Sequence, residues 1–267
     1  VGLIERQPNF DAVFPNYANN INPDLQNEEI TSFEIGYGYI GDAFKLNINA
    51  YSTNWGNRFI SRGFSNAQGE DGTAQFKDID VSHKGVEIEA DWRPNVSSRV
   101  RGMLSIGDWR YTKNFNAELF DDSQRSIGSA TLFTKDAKVG DAAQFVAYLG
   151  YERRIGSKLN IDLDYRFVDG LYADYSITDS DFTDPSNKGA LQLPSYGLVD
   201  FGATYYMSGK MSMRLNINNL FNTVYIAESN SNIHAGSGSE TWNGIDTRNY
   251  VWFGFGTTWN MSLRYRF

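Results

Sequence analysis

The chain has 267 residues, enough for one large all-β domain or two ordinary ones, and with no cysteine it carries no disulfide framework, thiolate metal site or cysteine nucleophile. Its 24 Lys and Arg against 32 Asp and Glu leave a formal charge of −8, which argues against a nucleic-acid partner because a phosphate backbone rewards a basic surface. A mean hydropathy of −0.46, with no run of about 18 apolar residues, excludes a membrane helix but not a transmembrane β-barrel, in which only every second residue is apolar.

Val1-Gly-Leu-Ile-Glu5 lacks the basic start and sustained apolar core of a signal peptide. Nine strands are predicted, over roughly 29–40, 43–56, 79–93, 99–113, 139–154, 158–171, 195–207, 211–226 and 254–267. Each carries a period of two. Phe44, Leu46, Ile48 and Ala50 oppose Lys45, Asn47, Asn49 and Tyr51; Val86, Ile88, Ala90 and Trp92 oppose Glu87, Glu89, Asp91 and Arg93. Further on, Leu159, Ile161, Leu163, Tyr165 and Phe167 oppose Asn160, Asp162, Asp164 and Arg166, and Met211, Met213, Leu215 and Ile217 oppose Ser212, Arg214 and Asn216. The chain ends with Trp259, Met261, Leu263, Tyr265 and Phe267 on one face and Asn260, Ser262, Arg264 and Arg266 on the other. No helical period is sustained, and none of the six prolines falls inside a strand so drawn. The fold class is all-β and antiparallel.

The connections alternate in length. Gly41-Asp42, Pro94 to Ser98, Gly156-Ser157 and Gly209-Lys210 make tight turns, while about 57–78, 114–138, 172–194 and 227–253 make long loops rich in Asn, Ser, Gly, Asp and aromatics. This places all short turns at one end and all long loops at the other, the plan of an outer-membrane barrel. A soluble sandwich has the same hydropathy but would pack its apolar face on a second sheet. Long strands, a girdle of Tyr39, Trp92, Tyr151, Tyr205 and Tyr265 near the short turns, and the terminal Phe267 favour the barrel. Single-chain bacterial barrels use an even number of strands, so nine implies that the chain begins inside a loop and is the C-terminal portion of one larger barrel domain.

Four stretches then carry a family resemblance. Asn22-Pro-Asp-Leu-Gln-Asn-Glu-Glu-Ile-Thr-Ser-Phe-Glu-Ile-Gly-Tyr37, Leu198-Val-Asp-Phe-Gly-Ala203, Leu215-Asn-Ile-Asn-Asn-Leu-Phe-Asn-Thr-Val-Tyr225 and Leu263-Arg-Tyr-Arg-Phe267, in this order and spacing, resemble the C-terminal part of TonB-dependent outer-membrane receptors. Gln26 stands where the family usually has Pro. The resemblance implies the last nine strands of about 22 enclosing an N-terminal plug, in the cell outer membrane of a Gram-negative-type bacterium. The plug and the earlier strands are outside this sequence. It further implies a receptor that imports a siderophore, carbohydrate, peptide or vitamin with energy delivered by a TonB-type coupling protein through the plug. Outer-membrane lipid, the barrel-assembly machinery and a surface lipoprotein are the other implied partners. Tyr265 and Phe267 are similar to the family's assembly signal. A passive channel or surface-binding barrel is the alternative.

Chemistry-bearing groups are few. No Ser/His/Asp grouping or dinucleotide fingerprint is present, so no enzyme activity, cofactor or resident metal is expected. His83 and His234 lie far apart in the chain and read as solvated side chains, and Asp179 to Asp184 reads as an acidic loop able to offer oxygens to calcium. Glu87, Glu89, Asp91, Arg93, Asp162, Asp164, Arg166, Arg214 and Arg264 are expected to form a charge-paired wall toward the lumen. Tyr111, Tyr172, Tyr175, Tyr225 and Trp242, in or beside the loops, are the candidate ligand contacts, with loop packing as the competing role.

Overall fold

A computed structural model of the protein describes residues 1–14, 21, 25–65, 69, 71–123, 125–175 and 180–267. The chain runs through β1 (Gly2–Arg6), a single helical turn α1 (Phe10–Val13), β2 (Glu28–Ile40), β3 (Phe44–Ser65), β4 (Asp71–Asn95) and β5 (Ser98–Tyr111). A hairpin of β6 (Phe115–Asp121) and β7 (Ser126–Leu132) follows, then β8 (Phe145–Ile155), β9 (Leu159–Asp169), a second helical turn α2 (Ser180–Thr183), β10 (Tyr196–Tyr206) and β11 (Met211–Asn218). Four short strands, β12 (Ile226–Ser229), β13 (Thr241–Trp242), β14 (Ile245–Asp246) and β15 (Val251–Phe253), precede β16 (Thr258–Tyr265).

Ten of these form one antiparallel meander in the order β1-β2-β3-β4-β5-β8-β9-β10-β11-β16. The chain visits these ten strands in spatial order, with β6–β7 and β12–β15 set into the long connections after β5 and β11, so short turns are enough at the other end: Gly41 N–H donates to Phe44 O, and Met207 N–H donates to Met211 O, each at 2.9 Å. The nine predicted strands are therefore present, and β1 is a tenth. Its residues pair with Ser32 to Glu28, where the sequence suggested a loop; five residues with Leu3 and Ile4 adjacent carry no readable alternation.

Strand lengths differ from the expectation for physical reasons. The region expected as a loop over 57–78 is largely a continuation of the β3–β4 ladder, which runs to Ser65↔Asp71. Irregularities at Trp55/Arg58 and Arg58/Ile60, with Asn57 at φ 56°, shift the phase of the side chains and hide that extension from a period-two reading. Pro94 lies inside β4, contrary to the expected boundary, at the register shift between Trp92 and Asn95 where the ladder needs no donor from it. Strand β8 begins at Phe145 instead of 139, and β11 stops at Asn218 instead of 226 because Asn219 takes φ 49° and Asn222 φ 52°. The expected loop over 114–138 holds the β6–β7 hairpin, whose β6 extends the sheet by pairing with the outer part of β4.

The cross-strand register separates two faces. One row carries Phe44, Trp92, Val100, Tyr151 and Leu163 in successive partners, and Phe201, Ile217 and Trp259 continue it. Among the described residues no second sheet covers this face. Ile35 is 64%, Trp259 70% and Leu263 64% exposed, so the apolar surface has the extent of a lipid-facing band and not of a soluble monomer. The hydrophobic cores instead sit at the long-loop end. One gathers Phe76, Ile79, Val81, Tyr111, Phe115, Leu132, Tyr175 and Phe182; the other gathers Leu171, Leu193, Ile226 and Ile245.

Candidate functional site

The charged residues expected on one face do share it, because their strands are in register: Asp91 lies opposite Arg101, Glu152 opposite Asp162, and Asp164 opposite Asp200. They are cross-linked. Arg99 Nε donates to both Asp91 oxygens at 3.1 and 3.0 Å and its Nη2 closes the fork. Asp164 accepts from Tyr148 Oη and from Arg101 Nη2, the latter at 3.3 Å. Arg214 forks onto Asp162 at 2.9 and 3.0 Å, and its Nε reaches Asn216 Oδ1 at 2.7 Å, whose own amide donates to Asn260. Arg166 pairs with Asp200 at 3.6 Å and Arg93 with Asp91 at 3.9 Å. Glu87, Glu89 and Arg264 stand on the same face without an ion pair among the described residues.

The five candidate aromatics separate. Tyr111 and Tyr175 meet, but inside the first loop core, each 5% exposed, with ring centroids 5.6 Å apart; Tyr175 is edge-on to Phe76 and Phe115, and Tyr111 lies tilted on Phe115. Burial, then the Asp174 charge, pushes the Tyr175 hydroxyl well above its ordinary range. Tyr172 lies beneath Lys138, whose Nζ is 5.7 Å from the ring centroid. Trp242 packs edge-on to Phe253 and against the second core. Tyr225 stacks on Tyr196 at 4.2 Å, with its ring pressed on Gly254, where any Cβ would overlap it. All five thus have packing partners within the protein.

Buried polar side chains tie the loops together. Asn232 Nδ2 donates to Asp174 O at 2.7 Å while its Oδ1 accepts from Leu191 N, and Ser231 Oγ bonds Asn249 Oδ1 at 3.1 Å. Arg62 on β3 reaches Asp174 at 2.6 Å. His234 Nε2 contacts Gly189 O at 3.0 Å. No group of three potential metal ligands occurs among the described residues. Asp184 accepts from Ser186 N and Oγ, and Asp179 lies outside the described residues.

Sequence reasoning did not bring together a band on the polar face just inside the first loop core, Tyr51, Trp55, Arg58, His83 and Trp109, and His83, expected as a solvated side chain, is half-buried there beside Trp109. Aromatic residues at Tyr51, Trp55 and Trp109, in the phase otherwise held by polar residues, were the available signal. It also passed over Asn219, whose side chain joins Thr223 and Phe255.

The model of the family described as TonB dependent receptor-like, beta-barrel, matches residues 2–220. The chain belongs to this family of outer-membrane receptor barrels. A curated relative, the Ferrioxamine B receptor of Salmonella typhimurium (strain SL1344), is 29% identical over 178 residues, covering 64% of this chain and 22% of its own length. The chain thus spans about a fifth of the curated relatives it matches. Among solved structures, the copper transporter OprC superposes with a TM-score of 0.66 at 16% identity, covering 100% of this chain and 36% of that one. The ferric yersiniabactin uptake receptor FyuA from Yersinia pestis gives 0.59 at 17%, covering 93% of this chain and 32% of that one. The pyoverdine receptor FpvA from Pseudomonas aeruginosa PAO1 gives 0.59 at 17%, covering 99% and 33%. At these identities the likeness shows the fold: the TonB-dependent receptor's meander is a segment of a large barrel wall.

Proposed function

We propose that the chain is the C-terminal wall and loop crown of an energised receptor that imports a metal-chelate nutrient, a ferric siderophore in the first instance. The family match carries the reading, and the curated ferrioxamine B relative supports the siderophore class. In this reading the short turns face the periplasm and the long loops face outside. The row of Trp92, Tyr151 and Leu163 meets lipid, and the Asp162–Arg214 and Asp91–Arg99 wall faces the lumen, where polar side chains can hydrogen-bond a plug. Tyr265 and Phe267 then present the terminal aromatic edge to the assembly machinery; Tyr265 is the last ladder residue, opposite Met211, and Phe267 is fully exposed. Energy reaches the ligand through the plug from a TonB-type protein. Tyr172, Tyr225 and Trp242 remain candidate contacts for the ligand after loop rearrangement, and a surface lipoprotein is a further partner for the loop crown.

Deletion of the gene in its native host, followed by growth on single ferric chelates as iron source, tests this. The expected result is loss of growth on one chelate class, restored by the full-length gene and abolished by dissipating the inner-membrane proton gradient. Growth that persists without the gradient would favour the passive channel.

A further inference from the structure

The register sets three successive cross-strand rows on the polar face: Tyr51, Gly85 and Gly107; then Thr53, His83 and Trp109; then Trp55, Val81 and Tyr111. Two glycines decide how the rings lie. A Cβ on Gly85 would stand 2.5 Å from Tyr51 Oη, and one on Gly107 2.8 Å from Trp109 Nε1, so both rings lie against the wall only because those side chains are absent. Trp109 Nε1 donates to Tyr51 Oη at 3.0 Å, which leaves the Tyr51 O–H without an acceptor among the described residues. The His83 ring is 5.5 Å from that of Trp109. Trp55 is fixed by donating Nε1 to Glu28 at 2.9 Å, and the Arg58 guanidinium lies 4.5 Å from its ring centroid.

Arg58 is the exception among its neighbours. Arg62 is paired with Asp174 and Arg6 with Glu28, whereas Arg58 makes no ion pair among the described residues, in a chain of net charge −8. A half-buried guanidinium loses hydration without a carboxylate to replace it, so an arriving anion gains more from it than from a solvated one.

We propose that Tyr51, Trp55, Arg58, His83 and Trp109 form a receiving shelf for a planar, anionic aromatic group of the imported ligand. Arg58 supplies the charge, the indoles and imidazole supply stacking faces, and the Tyr51 hydroxyl donates a hydrogen bond. This rests on the receptor reading above and assigns a ligand chemistry to it.

The test is calorimetric titration of the purified full-length receptor with two probes, the anionic iron(III) complex of 2,3-dihydroxybenzoate and the uncharged iron(III) complex of acetohydroxamate. Wild type is expected to bind the anionic probe, Arg58→Gln to weaken it roughly tenfold, the worth of one charge-assisted hydrogen bond, and Arg58→Lys to restore part of the loss. Trp109→Leu, with an unchanged circular dichroism spectrum, is expected to weaken it as well. Arg125→Gln, on the remote β6–β7 turn, is expected to change nothing. Equal binding by wild type and Arg58→Gln, preference for the uncharged probe, or no binding of either probe would overturn the shelf. A receptor that supports growth on a ferric chelate yet fails these titrations loses the shelf and keeps the transport reading.

Discussion

Asn219 Nδ2 donates to the carbonyl oxygen of Phe255, 36 residues away, at 3.1 Å. The same amide donates to Thr223 O at 2.9 Å and accepts from Thr223 N at 2.8 Å, while Asn219 N–H reaches Asp200 Oδ1 at 2.8 Å. Asn222 Oδ1 accepts from Thr257 N, and Thr257 Oγ1 donates to Asn219 O. The Asn-Leu-Phe-Asn stretch is therefore a buckle: it ends β11, sends the chain into the last long loop, and seizes the chain again where β16 starts.

Removing the buckle should be costly. Asn219→Ala leaves three backbone groups without their partner and forces a Cβ residue of lower αL tolerance into φ 49°, so a loss of about 2–4 kcal/mol is expected. Asn219→Gly, which keeps the conformation and loses only the bonds, should lose less. Urea unfolding of the full-length protein in detergent compares the two.

The Asp162–Arg214 fork should couple weakly, because Arg214 is 39% exposed and Asp162 15%. A double-mutant cycle with Asp162→Asn and Arg214→Gln is expected to give about 1 kcal/mol, between a solvated pair and a charge-assisted bond. Gly202→Ala should reproduce most of that loss on its own, since its Cβ would overlap the Asp162 carboxylate and lie 2.6 Å from Arg214 Nη2.

Tyr175 separates packing from hydrogen bonding. Its hydroxyl is buried and makes no hydrogen bond of ordinary geometry among the described residues, so Tyr175→Phe is expected to be neutral or mildly stabilising, within about 1 kcal/mol. Tyr175→Ala empties a site between Phe76, Phe115 and Phe182 and should cost about 3–5 kcal/mol of loop-core stability. Hydrogen exchange at Phe115 to Leu132 reads the difference.

Asp141 gives the loop crown a small pH dependence. Desolvation, then the charges of Asp174 and Glu228, push its carboxyl up to about 6 from the ordinary value near 4. The folded loops therefore bind the proton more tightly than the unfolded chain does, so stability falls as pH rises through the window from about 4 to 6. Its side chain still reaches water, and solvent screening holds the effect to a few tenths of a kcal/mol. Protection of Asp174 and Ser229 amides against exchange should drop across that window, and Asp141→Asn should flatten the profile.

The strands, their faces and the short-turn end were legible in the sequence because a strand exposed to two different media writes its environment into every second residue. Phe44 to Tyr51 and Trp259 to Arg266 read correctly without any partner in view. The family was legible too, in stretches such as Leu215 to Tyr225. The outer half of β3 and β4 was not, since the bulges at Trp55 to Ile60 reset the phase and nothing local announces the reset. Nor could composition tell a ligand-facing tyrosine from a core one: Tyr111 continues the polar-face alternation of β5, and only the arrival of Tyr175 and Phe182 from the β9–β10 connection buries it. Arg58, by contrast, has no carboxylate brought to it by any described loop. Alternation is a local property of a chain in a layered medium, so sequence carries it; which side chains find partners depends on contacts between distant loops, and the fold alone decides them.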